Sequence, residues 1–181
     1  IGSDRISRAI RNAREDSTIK AIVFRVNSGG GSALASEVIW RELKLASETK
    51  PVIASLGDVA ASGGYYIVAP ADTIIASPNT ITGSIGVFGL FFNAKEMLNE
   101  KLGVHVDVAK THQYSDMGSP FRSMTARERE VFKKGIEDVY DTFIERVADG
   151  RGMTKEQVDE IAQGRVWSGM DAKRIGLIDL Y

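Results

Sequence analysis

An α/β fold with parallel strands and flanking helices is predicted by two repeated patterns and the way they join. Ala21 to Val26 is a short, apolar, β-rich run that leads straight into Asn27-Ser28-Gly29-Gly30-Gly31-Ser32, then into a helical pattern carrying Leu34, Val38 and Leu43. Pro51 to Leu56 repeats the plan, with the small, glycine-rich Gly57 to Gly64 ahead of the apolar Tyr65 to Ala69. Two successive strand, turn and helix units imply right-handed crossovers and parallel strands, because a right-twisted strand returns to its own sheet that way.

The remaining elements each have a local signal. Ser3 is placed to cap a first helix in which Ile6, Ile10 and Ala13 recur at helical spacing as far as Asp16-Ser17. Thr73 to Ser77 reads as a short strand, and Thr82 to Gly89 as an extended segment loosened by glycine. Asn93 to Leu102 reads as a helix stopped by Gly103. Val104 to Ala109 alternates as a strand, valines on one face and His105 and Asp107 on the other. After the polar loop Lys110 to Pro120, Thr125 caps a long helix, with Glu128 completing a capping box and Val131, Ile136, Val139, Phe143 and Val147 along its apolar side. That helix stops at Gly150-Arg151-Gly152, Thr154 caps another, and Val166-Trp167 precedes a short helix before Gly176. With no internal repeat and no low-complexity linker, residues 1–181 are expected to form a single domain.

Composition narrows the function classes. A 43% hydrophobic content can fill a sizeable core, and 23 basic against 24 acidic residues leave a net charge of −1, with no electrostatic footprint for nucleic acid. The absence of cysteine excludes disulfides, thiolate catalysis and Cys-based metal sites, and two histidines supply metal binding poorly. No apolar stretch reaches the roughly 20 residues needed to span a bilayer, and no signal-peptide pattern opens the chain. A start at Ile1-Gly2-Ser3 and an end at Leu180-Tyr181 are those expected of a piece of a longer protein.

Ligands of open α/β sheets bind at the carboxyl ends of the strands, so the two glycine turns are the first candidates for chemistry. Asn27 to Ser32 lacks the spacing of a phosphate loop. It reads either as an oxyanion hole, its N–H groups facing developing negative charge, or as a tight turn demanded by packing. Ser62, flanked by alanines and glycines at the mouth of a predicted helix, reads either as a helix cap or as a nucleophile with the Gly63 N–H beside it. The pairing of both turns, one strand apart, favours the nucleophile. A base is harder to find. A triad of Ser62, His112 and Asp116 has no spacing in its favour, and Lys110, at a predicted strand end, has nothing around it to desolvate its amine.

Val26-Asn27-Ser28-Gly29-Gly30-Gly31-Ser32, Ala60-Ala61-Ser62-Gly63-Gly64-Tyr65-Tyr66 and Thr82-Gly83-Ser84-Ile85-Gly86 together resemble the signal peptide peptidase A family, within the Clp protease and crotonase superfamily. The likeness continues through Gly150-Arg151-Gly152 and Gly164-Arg165-Val166-Trp167-Ser168-Gly169 to Gly176-Leu177-Ile178-Asp179, nearly the whole chain. The resemblance implies a repeated ββα spiral with Ser62 as nucleophile. It also implies an oxyanion hole from the N–H groups of Gly30 or Gly31 and of Gly63, and Ser84 as the hydroxyl that orients a lysine base. A substrate peptide would add as a strand against Thr82 to Phe88, through Ile85, Gly86 and Val87, with aliphatic side chains favoured by pockets there. No metal or cofactor is required.

Two departures qualify the likeness. Gly29 stands where the family usually has proline, and Ser115 stands where single-domain relatives carry the base lysine. Relatives with two tandem halves place the lysine in the amino-terminal half and the serine in the carboxyl-terminal half, which this chain resembles. The expected protein is therefore a Ser-Lys serine protease of released signal peptides and other hydrophobic peptides, inactive as this fragment alone. Its lysine would come from a missing homologous amino-terminal half. It would be a homo-oligomer at the bacterial cytoplasmic membrane, anchored by regions outside the fragment, with its catalytic domain on the extracytoplasmic, periplasmic side. A non-catalytic assembly module and a crotonase-type acyl-CoA enzyme are the alternatives, the latter needing acidic catalytic residues that are not evident near Ser62.

Overall fold

The computed structural model describes residues 2–181. They group into two compact units, one made of residues up to Val87 together with Val139–Tyr181, the other of Phe88–Asp138. The first unit holds the sheet. It opens with helix α1 (Ser3–Glu15), followed by β1 (Ile22–Ser28), α2 (Ala33–Ser47), β2 (Val52–Ala61), the one-turn α3 (Gly63–Tyr66), β3 (Thr73–Ile75) and β4 (Ile81–Gly83). Helix α4 (Ala126–Arg151) begins in the second unit and ends in the first, where α5 (Lys155–Ile161), β5 (Val166–Ser168) and α6 (Gly169–Arg174) follow.

Strand β2 organises the sheet. One edge pairs in parallel with β1, from Ile22 opposite Val52 to Ser28 opposite Ala60. The other edge serves two short parallel partners in turn, β3 along Ile53 to Ser55 and β4 along Val59 to Ala61. This explains why β2 outruns the predicted Pro51 to Leu56: Gly57 to Ala61, read as a turn, finds a second partner. The hydroxyls of Thr80 and Thr82 reinforce the stretch by donating to the carbonyls of Gly57 at 2.8 Å and Ala60 at 2.7 Å. Strand β5 joins antiparallel to β4, so the sheet is mixed and not wholly parallel as expected.

Apolar residues of β2, α2 and α3 form the core with the last turns of α4 and the carboxyl-terminal segment; Leu43, Val52, Tyr65, Ile74, Val147 and Leu177 are almost wholly buried. Tyr65 meets the backbone requirement of that core by donating its hydroxyl to the Leu177 carbonyl at 2.7 Å, and burial pushes its phenol well above the ordinary tyrosine range. Helix α2 turns inward a face that shares only Leu43 with the one the spacing suggested. Trp40, Leu43 and Ala46 are buried, whereas Leu34 is 76% exposed and Val38 38% exposed. Ser3 lies inside α1, whose N-cap is Gly2 with no side-chain cap.

The second unit departs further from its sequence pattern. Asn93 to Leu102 forms only a short helix with one π-helical turn, Met97–Lys101. Val104 to Ala109 makes no strand, and Val104, Val106 and Val108 all stay 41–47% exposed. Alternation specifies a face but not a partner, and no ladder reaches this segment among the described residues. The Thr125 capping box is present, its hydroxyl accepting from the Glu128 N–H at 3.2 Å while the Glu128 carboxylate accepts from the Thr125 N–H at 2.8 Å. Glu128 is buried and also takes the Arg122 guanidinium, which extends to Asp116. Arg122 and the Thr125 amide hold the Glu128 carboxyl down to about 2, and Arg122 with Lys110 holds Asp116 well below the usual carboxylate range.

Candidate active site

At the end of β2 the chain turns sharply through Ser62, at φ 52° and ψ −123°, and α3 starts at the next residue. Among the described residues only Ser62, Ser84 and Gln163 combine a side chain with positive φ, at 52°, 48° and 58°. Such conformations persist only where the surroundings impose them, and they concentrate at functional sites. Two of the three are the serines that the sequence singles out.

Hydrogen bonds impose the geometry. The Ser62 N–H donates to the Gly83 carbonyl at 2.8 Å, which ties the nucleophile candidate to the residue before Ser84. The Ser84 N–H donates to the Arg165 carbonyl at 2.7 Å, and the Gly164 N–H to the Ile85 carbonyl at 2.8 Å. Gln163, the third strained residue, donates its N–H to the Tyr140 hydroxyl at 3.1 Å and so sets the loop that buttresses Ser84. Sequence reasoning missed this loop; Gln163-Gly164 signals a turn but not what the turn supports.

The two glycine turns meet at Ser62. A Cβ on Gly30, already at φ 97°, would lie 2.6 Å from the Gly63 nitrogen and 2.9 Å from the Ser62 Cβ. A Cβ on Gly63 would lie 2.5 Å from the Ser36 hydroxyl oxygen and 3.3 Å from the Gly31 nitrogen. Only glycine fits either place. The Gly30 N–H donates to the Ser28 hydroxyl at 3.2 Å, whereas the N–H groups of Gly31 and Gly63 have no hydrogen-bond partner among the described residues. Ser62 and Ser84 are both half-buried. The Ser62 side chain is therefore not packed away in the core, and two free amides converge beside it.

The strand beyond Ser62 has one open edge. Up to Gly83, β4 is flanked by β2 on one side and β5 on the other. On the β5 side the bonds continue to Ser84 and Ile85, but on the β2 side they stop with the Ser62 bond to Gly83. The N–H groups of 85–87, which follow directly on the segment bonded to Ser62, have no hydrogen-bond partner among the described residues. Ile85 is wholly buried, main chain and side chain alike, so it offers no pocket wall of its own, whereas Gly86 and Val87 are half-buried.

Every lysine of this unit is occupied elsewhere. Lys20 donates to the Ser17 carbonyl at 2.6 Å and Lys50 to that of Ala13 at 2.7 Å; Lys44 pairs with Glu48 and Lys155 with Asp141, and Lys173 lies over the Tyr181 ring. In the second unit Lys110 is exposed and ion-paired to Asp116 at 3.1 Å, without the burial that a basic lysine needs. The same carboxylate is taken by Arg122 at 2.8 Å, which leaves His112 no oriented acid partner there. His112 and Ser115 are exposed. Among the described residues, no helix is long and apolar enough to cross a membrane.

Known proteins share both the sequence and the fold. The chain is 46% identical to Protease 4 of Haemophilus influenzae over 179 residues, covering 98% of this chain and 29% of that protein. It is 43% identical to the chloroplastic serine protease SPPA of Arabidopsis thaliana, over 98% of this chain and 26% of that one. A putative signal peptide peptidase SppA of Enterococcus faecium is 37% identical over 94% of this chain and 49% of its own length. The chain thus spans under a third of the first two relatives and about half of the third. Its fold is that of a ClpP1 mutant from Listeria monocytogenes, at a TM-score of 0.64 and 17% identity over 98% of this chain and 82% of that one. This likeness settles the Clp protease and crotonase-like architecture. The model of peptidase family S49 matches residues 44–181, from the last turn of α2 to the last residue. With three quarters of its length matched by that model, the chain belongs to peptidase family S49.

Proposed function

We propose that this chain supplies the nucleophile, oxyanion hole and substrate edge of a serine endopeptidase whose base is a lysine from a homologous amino-terminal half. The observation that carries the reading is the strained, half-buried Ser62 next to two free amides, those of Gly31 and Gly63. Gly31 is favoured over Gly30 as the first donor, because the Gly30 N–H is already engaged with Ser28.

Ser62 Oγ attacks the scissile carbonyl carbon and its proton passes to the lysine amine. The carbonyl oxygen, now an anion, is received by the Gly31 and Gly63 N–H groups, in surroundings that need not reorganise as charge develops. Collapse breaks the C–N bond, the lysine returns its proton to the leaving amine, and an acyl-Ser62 remains. Water attacks through the same base to release the acid and restore the serine. Ser84, joined to Ser62 through the Gly83 carbonyl, orients the lysine amine with its hydroxyl. The substrate lies extended against 85–87, a mode that suits hydrophobic peptides such as signal peptides released into a membrane. The occupied lysines of the sheet-bearing unit support a base from elsewhere. The whole protein works as an oligomer on the extracytoplasmic side of the bacterial cytoplasmic membrane, held there by regions outside these residues, and needs no cofactor.

The test compares this chain alone with the full-length protein on a peptide ester. The chain alone should turn over negligibly, since an unassisted serine has almost no alkoxide near neutrality. In the full-length protein Ser62→Ala should lower kcat by about four orders of magnitude or more. Fast turnover by the isolated chain would put the base inside it, and an active Ser62→Ala protein would end the assignment.

A further inference from the structure

The two glycine turns open helices α2 and α3, so whatever locks these helices together sets the distance between the Gly31 and Gly63 amides. Helix α3 has only four residues and cannot hold its own direction; contacts outside it must do so. The dipeptide Ser36-Glu37 on α2 touches it at both ends. At one end the buried Ser36 donates its hydroxyl to the Ser32 carbonyl at 3.0 Å, and its oxygen occupies the space where a Gly63 side chain would begin. At the other, the Glu37 carboxylate accepts from the hydroxyl of Tyr66, the last residue of α3, whose own N–H bonds the Ser62 carbonyl at 2.9 Å.

Glu37 is itself held. Arg146 of α4 donates to it at 2.9 Å through Nη2, and the Arg146 guanidinium lies 4.1 Å from the centroid of the Trp40 ring. The Tyr66 ring packs on Phe143 with centroids 4.7 Å apart. Burial and the Glu37 carboxylate push the Tyr66 phenol above its ordinary range, which keeps it a proton donor in this bond. One carboxylate therefore connects three helices, two of which begin at the oxyanion donors.

We propose that Glu37 is a positioning residue for the oxyanion hole, acting through Tyr66 to fix α3, and with it Gly63 and Ser62, against the Gly29–Gly31 turn on α2. This rests on the reading of Ser62 as the nucleophile. Glu37 makes no hydrogen bond to Ser62 or Gly63, so its removal should leave substrate binding intact and misplace the amides only when the anion forms.

The experiment uses the form of the protein that turns over peptide esters, with activity normalised to titrated active sites. Glu37→Ala is expected to lower kcat about 10- to 100-fold, the cost of a displacement of roughly 1 Å, and to weaken a peptidyl boronate by a similar factor. KM should stay within about threefold. Glu37→Gln keeps an acceptor for Tyr66 and should recover most of the loss. Tyr66→Phe removes one hydroxyl, shifts kcat in the same direction by less, and serves if Glu37→Ala does not fold. Unchanged kcat per site in these variants, with only a lower melting temperature, overturns the proposal, as does a loss carried by KM alone. If Ser62→Ala retains turnover, it is the underlying reading that has failed.

Discussion

The unit that carries Ser62 and the unit formed by Phe88–Asp138 contain comparable apolar patterns, yet those patterns come to different ends. In the first, β2 presents two edges and each short apolar run beside it finds a ladder, even Thr73–Ile75 and Ile81–Gly83, which are three residues long. In the second, Val104, Val106 and Val108 alternate as regularly, and Phe88, Leu90 and Phe92 lie along chain with no helix or strand, but all are exposed. A pattern becomes a strand only when another strand is available at the right height. The second unit relies instead on local polar links, chiefly the Asp116, Arg122 and Glu128 group that ties the loop to the start of α4.

If that contrast holds, the two units respond to different perturbations, and the largest response belongs to the packed one. A Cβ on Gly150 would come within 2.0 Å of the Ala69 carbonyl oxygen, so Gly150→Ala should destabilise the sheet-bearing unit by about 3 kcal/mol or more in a urea melt. An unchanged midpoint would mean that this junction is loose.

An intermediate effect is expected from acid, and it belongs to the second unit. Glu128 has a folded-state value of about 2 against an ordinary 4.5, so its contribution is full above the ordinary value and is lost as pH falls from about 4.5 toward about 2. Hydrogen exchange across 112–125, corrected for intrinsic rates, should accelerate through that window, while exchange in β2 changes little. Arg122→Met should abolish the dependence; equal acceleration in both units would erase the distinction.

The smallest effect should be a gain. Gly135 lies exposed within α4, with no atom within 4 Å of the place an added methyl group would take, so Gly135→Ala should stabilise by about 0.5–1 kcal/mol. A loss at Gly135 would mean that this face of α4 is not free.

The same contrast separates what is legible in the chain from what is not. Strand, glycine turn and helix at 21–47 and again at 51–69 can be read because each signal is local and their repetition constrains the crossover. The strain at Ser62 and Ser84 cannot, since φ is imposed by bonds to Gly83 and Arg165 that lie far away in sequence. Glu37 carries no mark either: a carboxylate on an amphipathic helix ordinarily faces solvent, and its partners Tyr66 and Arg146 are 29 and 109 residues away. The inward face of α2 differs from the predicted one because 3.6-residue spacing admits more than one stripe, and the Trp40, Leu43, Ala46 stripe is the one that meets the sheet.

The vacant side of the segment after Gly83 has a consequence for selectivity. On the proposed reading, a peptide paired there through its amides, beside an isoleucine whose own side chain is hidden, is read for its shape more than for its letters. A site of that kind would have little means of refusing a stretched polypeptide once it arrived, so discrimination would have to be exercised earlier, by governing which chains are allowed to reach it.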